Sequence, residues 1–307
     1  MALWKKILAT VIGVIIAVVI IVGGVFAFAY HDFSSTVEKT YKPVQRQNST
    51  KADSENQIEN SQPFSMLLLG VDTGALGRVE HGRSDSIMVA TVNPIKKQTT
   101  IVSVARDTYM EIVGHNTQDK VNHAYAFGGA AMSMDTLEKY LDIPINHYAA
   151  INMGGIEQLV DAVGGVEVHN NLDFTNSNFH FPKGNVELNG EKALAYTRMR
   201  YEDPRGDYGR QERQRAVVAA IGKKVMSIEG VTKYRDLLDA VSENMQTDLN
   251  QDQIQKLALD YRDAFSNVKT DQLQGTGFMQ DGVSYQRVSP EELQRVQLEL
   301  KTQLEAN

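Results

Sequence analysis

From Ile7 to Tyr30 the chain carries no charged side chain and is built largely from Val, Ile, Leu and Ala. No other feature limits its fold so severely. An α-helix rises about 1.5 Å per residue, so this run is long enough to cross a hydrocarbon core of roughly 30 Å. Lys5 and Lys6 precede it with no acid before them, which leaves residues 1–6 in the cytoplasm and sends the rest outside. Ala27-Phe28-Ala29 resembles a small-residue cleavage pattern. The apolar stretch is nevertheless longer than the roughly 7–15 residues of a signal-peptide core, so an uncleaved single-pass transmembrane helix is expected over residues 7–30.

Residues 31–62 turn polar, with little apolar clustering, and are expected to form an extracytoplasmic stalk. The remainder, 63–307, suits one α/β domain large enough to bury a full core. The formal charge of −7 over 307 residues argues against nucleic acid as a partner, since phosphate-backbone binding draws on a basic face. The absence of cysteine excludes disulfides and thiol chemistry.

Three apolar runs read as strands: Phe64 to Val71, Ile87 to Val92 and Thr99 to Ala105, with Asn93-Pro94 turning the chain between the last two. Shorter strands are expected at His147 to Asn152, Val166 to His169 and Ser284 to Val288. Helical periodicity marks Ala130 to Leu141, Gly155 to Val163, Gly190 to Tyr196, Gly209 to Ser227, Val231 to Met245, Gln251 to Phe265 and Pro290 to Leu304. Strands mixed with helices of this length imply a three-layer α/β/α sandwich around a mixed sheet.

Asp72 follows the first strand, Asp85 precedes the second, and Arg106-Asp107 follow the third. If the strands alternate in direction, these residues share one sheet edge. Two carboxylates there suit Mg²⁺, which takes hard oxygen ligands and shares them with water and phosphates. The alternative is turn chemistry at Asp72 and a pairing of Asp85 with Arg83 or with solvent.

Six arginines and no lysine lie between Arg198 and Arg215. The guanidinium fork grips phosphate oxygens two at a time, so this cluster points to a phosphate-rich ligand. Arg198 and Arg200 are two apart in an apparently extended segment and would point the same way; an ion pair with Glu202 or Asp203 is their alternative. Wound as a helix, Asp207, Arg210, Gln214, Val217, Val218, Ile221 and Val225 share one stripe. Charged groups on an apolar stripe are costly unless bound, so Arg210 and Gln214 are expected to line a cleft. Arg213 and Arg215 lie off it, with solvated helix surface as their alternative. Lys120, with Gly128-Gly129 at a helix start, offers a weaker anion site. The seven histidines show no metal-ligand spacing, and no serine-nucleophile elbow is present.

Five motifs in register resemble the LytR-CpsA-Psr family: Leu68-Leu69-Gly70-Val71-Asp72; Gly82-Arg83-Ser84-Asp85-Ser86-Ile87-Met88; Ser103-Val104-Ala105-Arg106-Asp107-Thr108; Lys120-Val121-Asn122-His123-Ala124-Tyr125; and Ala195 to Arg200 with Gly206 to Gln214. Ala105 departs from the proline usual there. The resemblance implies a membrane-anchored, extracytoplasmic phosphotransferase. It would move an anionic glycopolymer, a teichoic acid or capsular polysaccharide, from an undecaprenyl-pyrophosphate carrier to peptidoglycan. It further implies a hydrophobic cleft for the lipid, with Asp72 and Asp85 holding Mg²⁺ or Mn²⁺. Arg83, Arg106, Lys120, Arg198, Arg200, Arg210 and Gln214 would contact the pyrophosphate, with Asp207 orienting the arginines and Asp85, Arg106, Arg198 and Arg200 closest to the chemistry. A Mg²⁺-dependent pyrophosphate hydrolase and a non-enzymatic sensor of the lipid intermediate are the rival readings.

The topology is testable in cells. The mature protein should keep its N-terminus and resist extraction by salt or alkali, whereas a soluble species beginning at Tyr30 would mean that Ala27-Phe28-Ala29 is a cleavage site.

Overall fold

The computed structural model describes residues 32–46, 57–72, 82–225 and 234–306. Residues 1–31, with the expected cytoplasmic tail and membrane span, lie outside them, as do 226–233. No helix among the described residues is long and apolar enough to cross a membrane.

A six-stranded mixed sheet organises the domain, in the order β11-β6-β1-β2-β3-β12. Its strands are β1 (Phe64–Val71), β2 (Ser84–Asn93), β3 (Gln98–Ser103), β6 (His147–Asn152), β11 (Met245–Thr247) and β12 (Val268–Gln272). β1 and β3 each run antiparallel to β2, as the alternation of the first three strands requires. β1 pairs in parallel with β6, and β3 with β12. The apolar runs of β1 and β2 place them at the centre, where both faces of a strand are covered.

On one face Leu67, Leu69, Ile87, Val89 and Val102 pack against α1 (Asn122–Leu141) and α8 (Pro290–Leu304), through residues such as Met134, Leu137, Val296 and Leu300. On the other face Leu68, Met88, Ala90 and Ile101 meet Val218 of α4 (Asp207–Val225). A second core joins α4 to α2 (Met153–Ala162), α3 (Gly190–Arg198) and two small ladders, β7 (Val166–Asn170) with β10 (Gly184–Leu188) and β8 (Phe174–Asn176) with β9 (Phe179–Phe181). Helices thus lie on both faces of the sheet.

Several elements differ from the expectation. α1 begins eight positions before Ala130, at Asn122, and the glycine pair lies inside it. Gly129 sits at φ 64°, ψ −151°, a region closed to side chains, so the pair kinks the helix and does not start it. The expected helix from Gln251 to Phe265 is broken at Tyr261 into α6 (Gln251–Asp260) and α7 (Arg262–Ser266), because that fully buried ring is committed to Phe64 and to the Gln62 carbonyl. α5 (Tyr234–Asn244) stops where Met245 joins the sheet. α3 runs through Arg198, and the backbone is extended at Met199 beyond it.

The described part of the polar segment 31–62 does not stand free. Residues 32–40 form a helix with Val37 and Thr40 buried, and Tyr41 bridges to Thr247 on the β11 edge. The Arg46 side chain is 4% exposed and bonds Asp135 and the Ile145 carbonyl, both at 2.6 Å. Ile58 is buried beside Phe64 and Tyr261.

Buried charge fixes the corner between α3 and α4. Arg213 donates Nη1 to Asp203 Oδ2 at 2.7 Å and Nη2 to the Met199 carbonyl at 2.6 Å, with its guanidinium 5.3 Å from the Phe174 ring centre. Burial disfavours charge on Asp203, but hydrogen bonds from Arg205 and Arg213 outweigh it and hold its pKa below the ordinary carboxylate value. Gly209 permits the approach, since a Cβ there would lie 1.7 Å from Asp203 Oδ2. The surface reading of Arg213 is therefore corrected: α4 is enclosed on more than one face. Removing one partner of a buried ion pair costs about 3–5 kcal/mol. Arg213→Ala should lose that much in denaturant unfolding, while Arg205→Ala, at the exposed side of Asp203, should lose about 1 kcal/mol or less.

Candidate anion site at the mouth of an apolar cleft

The space between the sheet and α2, α3 and α4 is not filled. It forms a cleft of about 920 Å³ of atom-free volume, partly continuous with solvent, whose walls include Leu68, Met88, Ile151, Leu194, Val217 and Met245. Its few polar linings are Ser86, Asn152, Thr197 and Gln214. Three of the four border the candidate charges. Asp85 precedes Ser86, Arg198 follows Thr197, Arg210 lies one turn before Gln214, and Asp72 is two residues from the lining Gly70.

The antiparallel register carries these residues to one sheet edge. Val71 pairs with Ser84 across a β-bulge, and the Asp72 N–H donates to the Arg83 carbonyl at 3.0 Å. Asp85 lies just inside β2, not before it. Arg106 Nη1 bonds Asp85 Oδ1 at 2.9 Å, so Asp85 is paired with Arg106 and not with Arg83. Asp107 then accepts from Lys120 Nζ at 2.7 Å, which commits the lysine to a carboxylate. From α4, Arg210 Nη2 contacts Asp207 Oδ1 at 2.6 Å and the Asp85 carbonyl at 3.4 Å, while Gln211 Nε2 holds the other oxygen of Asp207 at 2.8 Å. Asp207 thus aims Arg210 at the β2 end.

Burial works against the charge of Arg106, but Asp85, followed by Asp107 and Asp207, outweighs it and raises the pKa above the usual guanidinium value. Arg210 goes the other way: burial and the nearby cations Arg106 and Arg200 lower it despite Asp207 and Asp85. A site crowded with cations gains from an anion. The buried Arg210 Nε has no hydrogen-bond partner among the described residues, so that donor is uncommitted. Arg83 and Arg198 are exposed and Arg200 is half-buried, and none has a carboxylate partner among the described residues. The expected alternative of Arg198 or Arg200 pairing with Glu202 or Asp203 does not occur; Asp203 is taken by Arg205 and Arg213.

Asp72, Asp85, Arg106, Arg200, Asp207, Arg210 and Gln214 therefore converge, Arg83 and Arg198 border them, and Lys120 joins through Asp107. Arg215 was outside this set and is corrected differently. It is 5% exposed and, among the described residues, bonds Gln272 at 3.4 Å and leaves Nε and Nη1 unpartnered. Burial pushes it down to about 10. It lies beside Val218 at the edge of the stripe and faces the sheet, where the solvated-surface alternative does not hold. The cleft walls come from many elements, of which helical spacing announced Gln214, Val217, Val218 and Ile221.

No group of three or more potential metal-ligating His, Cys, Asp or Glu side chains occurs among the described residues. Asp72 and Asp85 still fit a hard divalent cation that shares its coordination with phosphate, since Asp85 binds Arg106 through Oδ1 alone.

The chain matches the LytR_cpsA_psr family over residues 27–302. It is 58% identical over 300 residues to the polyisoprenyl-teichoic acid–peptidoglycan teichoic acid transferase TagU of Enterococcus faecalis V583, covering 98% of each chain. Among solved structures, B. subtilis TagU is 40% identical with a TM-score of 0.66, over 80% of this chain and 98% of that one. TagT bound to LI-WTA is 31% identical with a TM-score of 0.68, over 80% and 92%.

Inorganic pyrophosphate is a direct probe of the rim. Calorimetry should show binding that weakens about tenfold to a hundredfold in Arg200→Ala, the equivalent of one lost charge-assisted bond. Arg200→Lys should do nearly as badly, because it keeps the charge and loses the fork; affinity like that of the wild type would place the anion elsewhere.

Proposed function

We propose that this chain, which belongs to the LytR-CpsA-Psr family, is a transferase that moves a teichoic acid from a polyisoprenyl carrier to peptidoglycan. The names of its relatives support the reaction class. One observation of its own carries the reading: the polar lining residues of an apolar cleft, Ser86, Thr197 and Gln214, adjoin Asp85, Arg198 and Arg210, where Arg106 and Arg210 are held by carboxylates. That is the shape of a ligand with a long hydrocarbon at one end and phosphates at the other. An undecaprenyl-pyrophosphate-linked glycopolymer has this form. Teichoic acid is favoured over a capsular polysaccharide by the relatives' names. The chain is further proposed to be a single-pass membrane protein, anchored through residues 7–30, with its catalytic domain outside.

In the reaction, a peptidoglycan hydroxyl oxygen attacks the phosphorus that bears the glycopolymer. A new P–O bond forms as the P–O bond to the bridging oxygen breaks, giving a phosphodiester and a lipid phosphate. The hydroxyl proton leaves to a base. Negative charge grows on the leaving phosphate and on the phosphoryl oxygens, and such transfers are accelerated mainly by positioning and fixed positive charge. Arg106 and Arg210, held by Asp85 and Asp207, supply pre-aimed donors; Arg198 and Arg200 supply uncommitted forks. Gln214, where cleft meets rim, offers an amide to the lipid-proximal phosphate. Asp72 and Asp85 would hold Mg²⁺, or Mn²⁺, which would add charge neutralisation at the phosphoryl oxygens. The pyrophosphate itself carries the energy of transfer, so no nucleotide is required.

The full chain, reconstituted in lipid with a polyprenyl-pyrophosphate glycan donor and a defined peptidoglycan fragment, should form a conjugate that contains phosphodiester. Asp85→Ala should abolish it with the fold unchanged by circular dichroism. Release of only free phosphorylated glycan would make the protein a hydrolase, and binding without any product would make it a sensor.

A further inference from the structure

Beyond β3 the rim continues onto two hairpins that form ladders separate from the six-stranded sheet. One joins β4 (Tyr109–Ile112) to β5 (Thr117–Lys120), the other β13 (Thr276–Gln280) to β14 (Val283–Arg287). Tyr109 lies across the first ladder from Lys120, and Phe278 across the second from Tyr285. The three rings gather: Tyr109 meets Tyr285 edge-on at 5.1 Å and Phe278 edge-on at 5.6 Å, while Phe278 and Tyr285 stack at 5.5 Å. None of them joins the buried cores, and all three stay partly exposed.

This cluster is wired to the anion site. Lys120 Nζ bonds Asp107 and lies 5.5 Å from the centre of the Tyr285 ring, so Arg106, Asp107, Lys120 and Tyr285 form one line of contacts. The neighbouring Gln286 N–H donates to the Asp107 carbonyl at 2.8 Å, and the Tyr208 hydroxyl at the start of α4 bonds the Gly275 carbonyl at 2.9 Å. At the far end Arg287 covers Phe278 at 4.3 Å and has no carboxylate partner among the described residues. The hairpin is thus held in a fixed place while its rings remain accessible.

We propose that Tyr109, Phe278 and Tyr285 form a stacking shelf for a hexosamine ring of the peptidoglycan strand that accepts the transfer. The inference rests on the transferase reading and extends it to the second substrate. A pyranose has an apolar C–H face that suits an aromatic ring, and polar edges that suit Lys120 and Arg287. Half-exposed tyrosines, with one wet end, are the usual vehicle for such contacts. Position argues for the acceptor over the donor. Displacement at phosphorus runs in line, with attacking and leaving oxygens on opposite sides. The leaving lipid phosphate is tied to the cleft, so the attacking hydroxyl enters from the end of the rim away from it. The shelf is joined to that end through Asp107.

The test uses the full chain and a soluble GlcNAc–MurNAc disaccharide. Saturation-transfer NMR reports binding whether or not transfer occurs, and steady-state kinetics separates the acceptor KM from the donor KM. Tyr285→Leu keeps apolar bulk but removes the flat ring; it should weaken disaccharide binding and raise the acceptor KM about tenfold, as loss of one aromatic contact implies. The donor KM and pyrophosphate binding should not move, and Tyr285→Phe should restore most of the acceptor affinity. Wild-type protein that binds no disaccharide would overturn the proposal, as would a Leu variant with unchanged affinity. A rise in donor KM alone would give the shelf to the donor glycan and overturn it too. Disaccharide binding lost in Tyr285→Leu, in a protein that forms no conjugate, would refute transfer and leave the shelf standing. If Tyr285→Leu unfolds, Phe278→Leu gives the same contrast.

Discussion

The ion pair between Arg213 and Asp203 holds the rest of the functional geometry in place. Both side chains are almost fully buried, so neither tolerates loss of the other. Asp203 also binds the Arg205 side chain and backbone N–H, while Arg213 reaches back to the Met199 carbonyl. The two therefore clamp the end of α3 to the start of α4. That clamp sets where Arg200 leaves one helix and where Asp207, Arg210 and Gln214 rise along the next. A flexible corner would leave the arginines to find one another at an entropic cost; here it is met during folding.

The rim shows how a protein can gather like charges without flying apart. Asp85, Asp107 and Asp207 are interleaved with Arg106, Lys120 and Arg210, so half of the rim's cations have a carboxylate at hand. The neutralisation is incomplete. Among the described residues Arg83, Arg198 and Arg200 have no carboxylate, and the buried Nε of Arg210 and Oε1 of Gln214 have no hydrogen-bond partner. Unmet polar groups in low-dielectric surroundings are expensive, and natural structures keep them where something else will supply the partner. The rim thus combines neutralised cations with uncommitted ones.

Much of this was legible in the chain, for physical reasons. β1, β6 and α8 match their expected bounds because their patterns are long or clearly periodic. The convergence of Asp72, Asp85 and Arg106 followed from strand alternation alone. The strands β4, β5, β8, β9, β10, β11, β12 and β13 were not anticipated: they are short, and several lie in two-stranded ladders with polar exposed faces that give little periodic signal. Arg213 and Arg215 were misjudged because a helical wheel presumes one buried face, while α4 is wedged between sheet, α3 and β7. The packing of residues 32–46 was hidden for a similar reason. Its contacts are few and specific, a buried guanidinium and a single bridge, and composition does not record them.

That N-terminal strap has a mechanical consequence. Tyr41 bridges to Thr247, the Lys42 N–H bonds the Thr247 carbonyl at 2.7 Å, the Tyr148 hydroxyl grips the Lys42 carbonyl at 2.7 Å, and Arg46 closes the run against α1. A pull applied at Asp32 reaches these bonds before it reaches β1. They lie one after another along the strap and are stretched in turn, so tension is dissipated at the β11 edge and the arginine latch. The central strands that carry Asp72 and Asp85 stay unloaded while the strap holds.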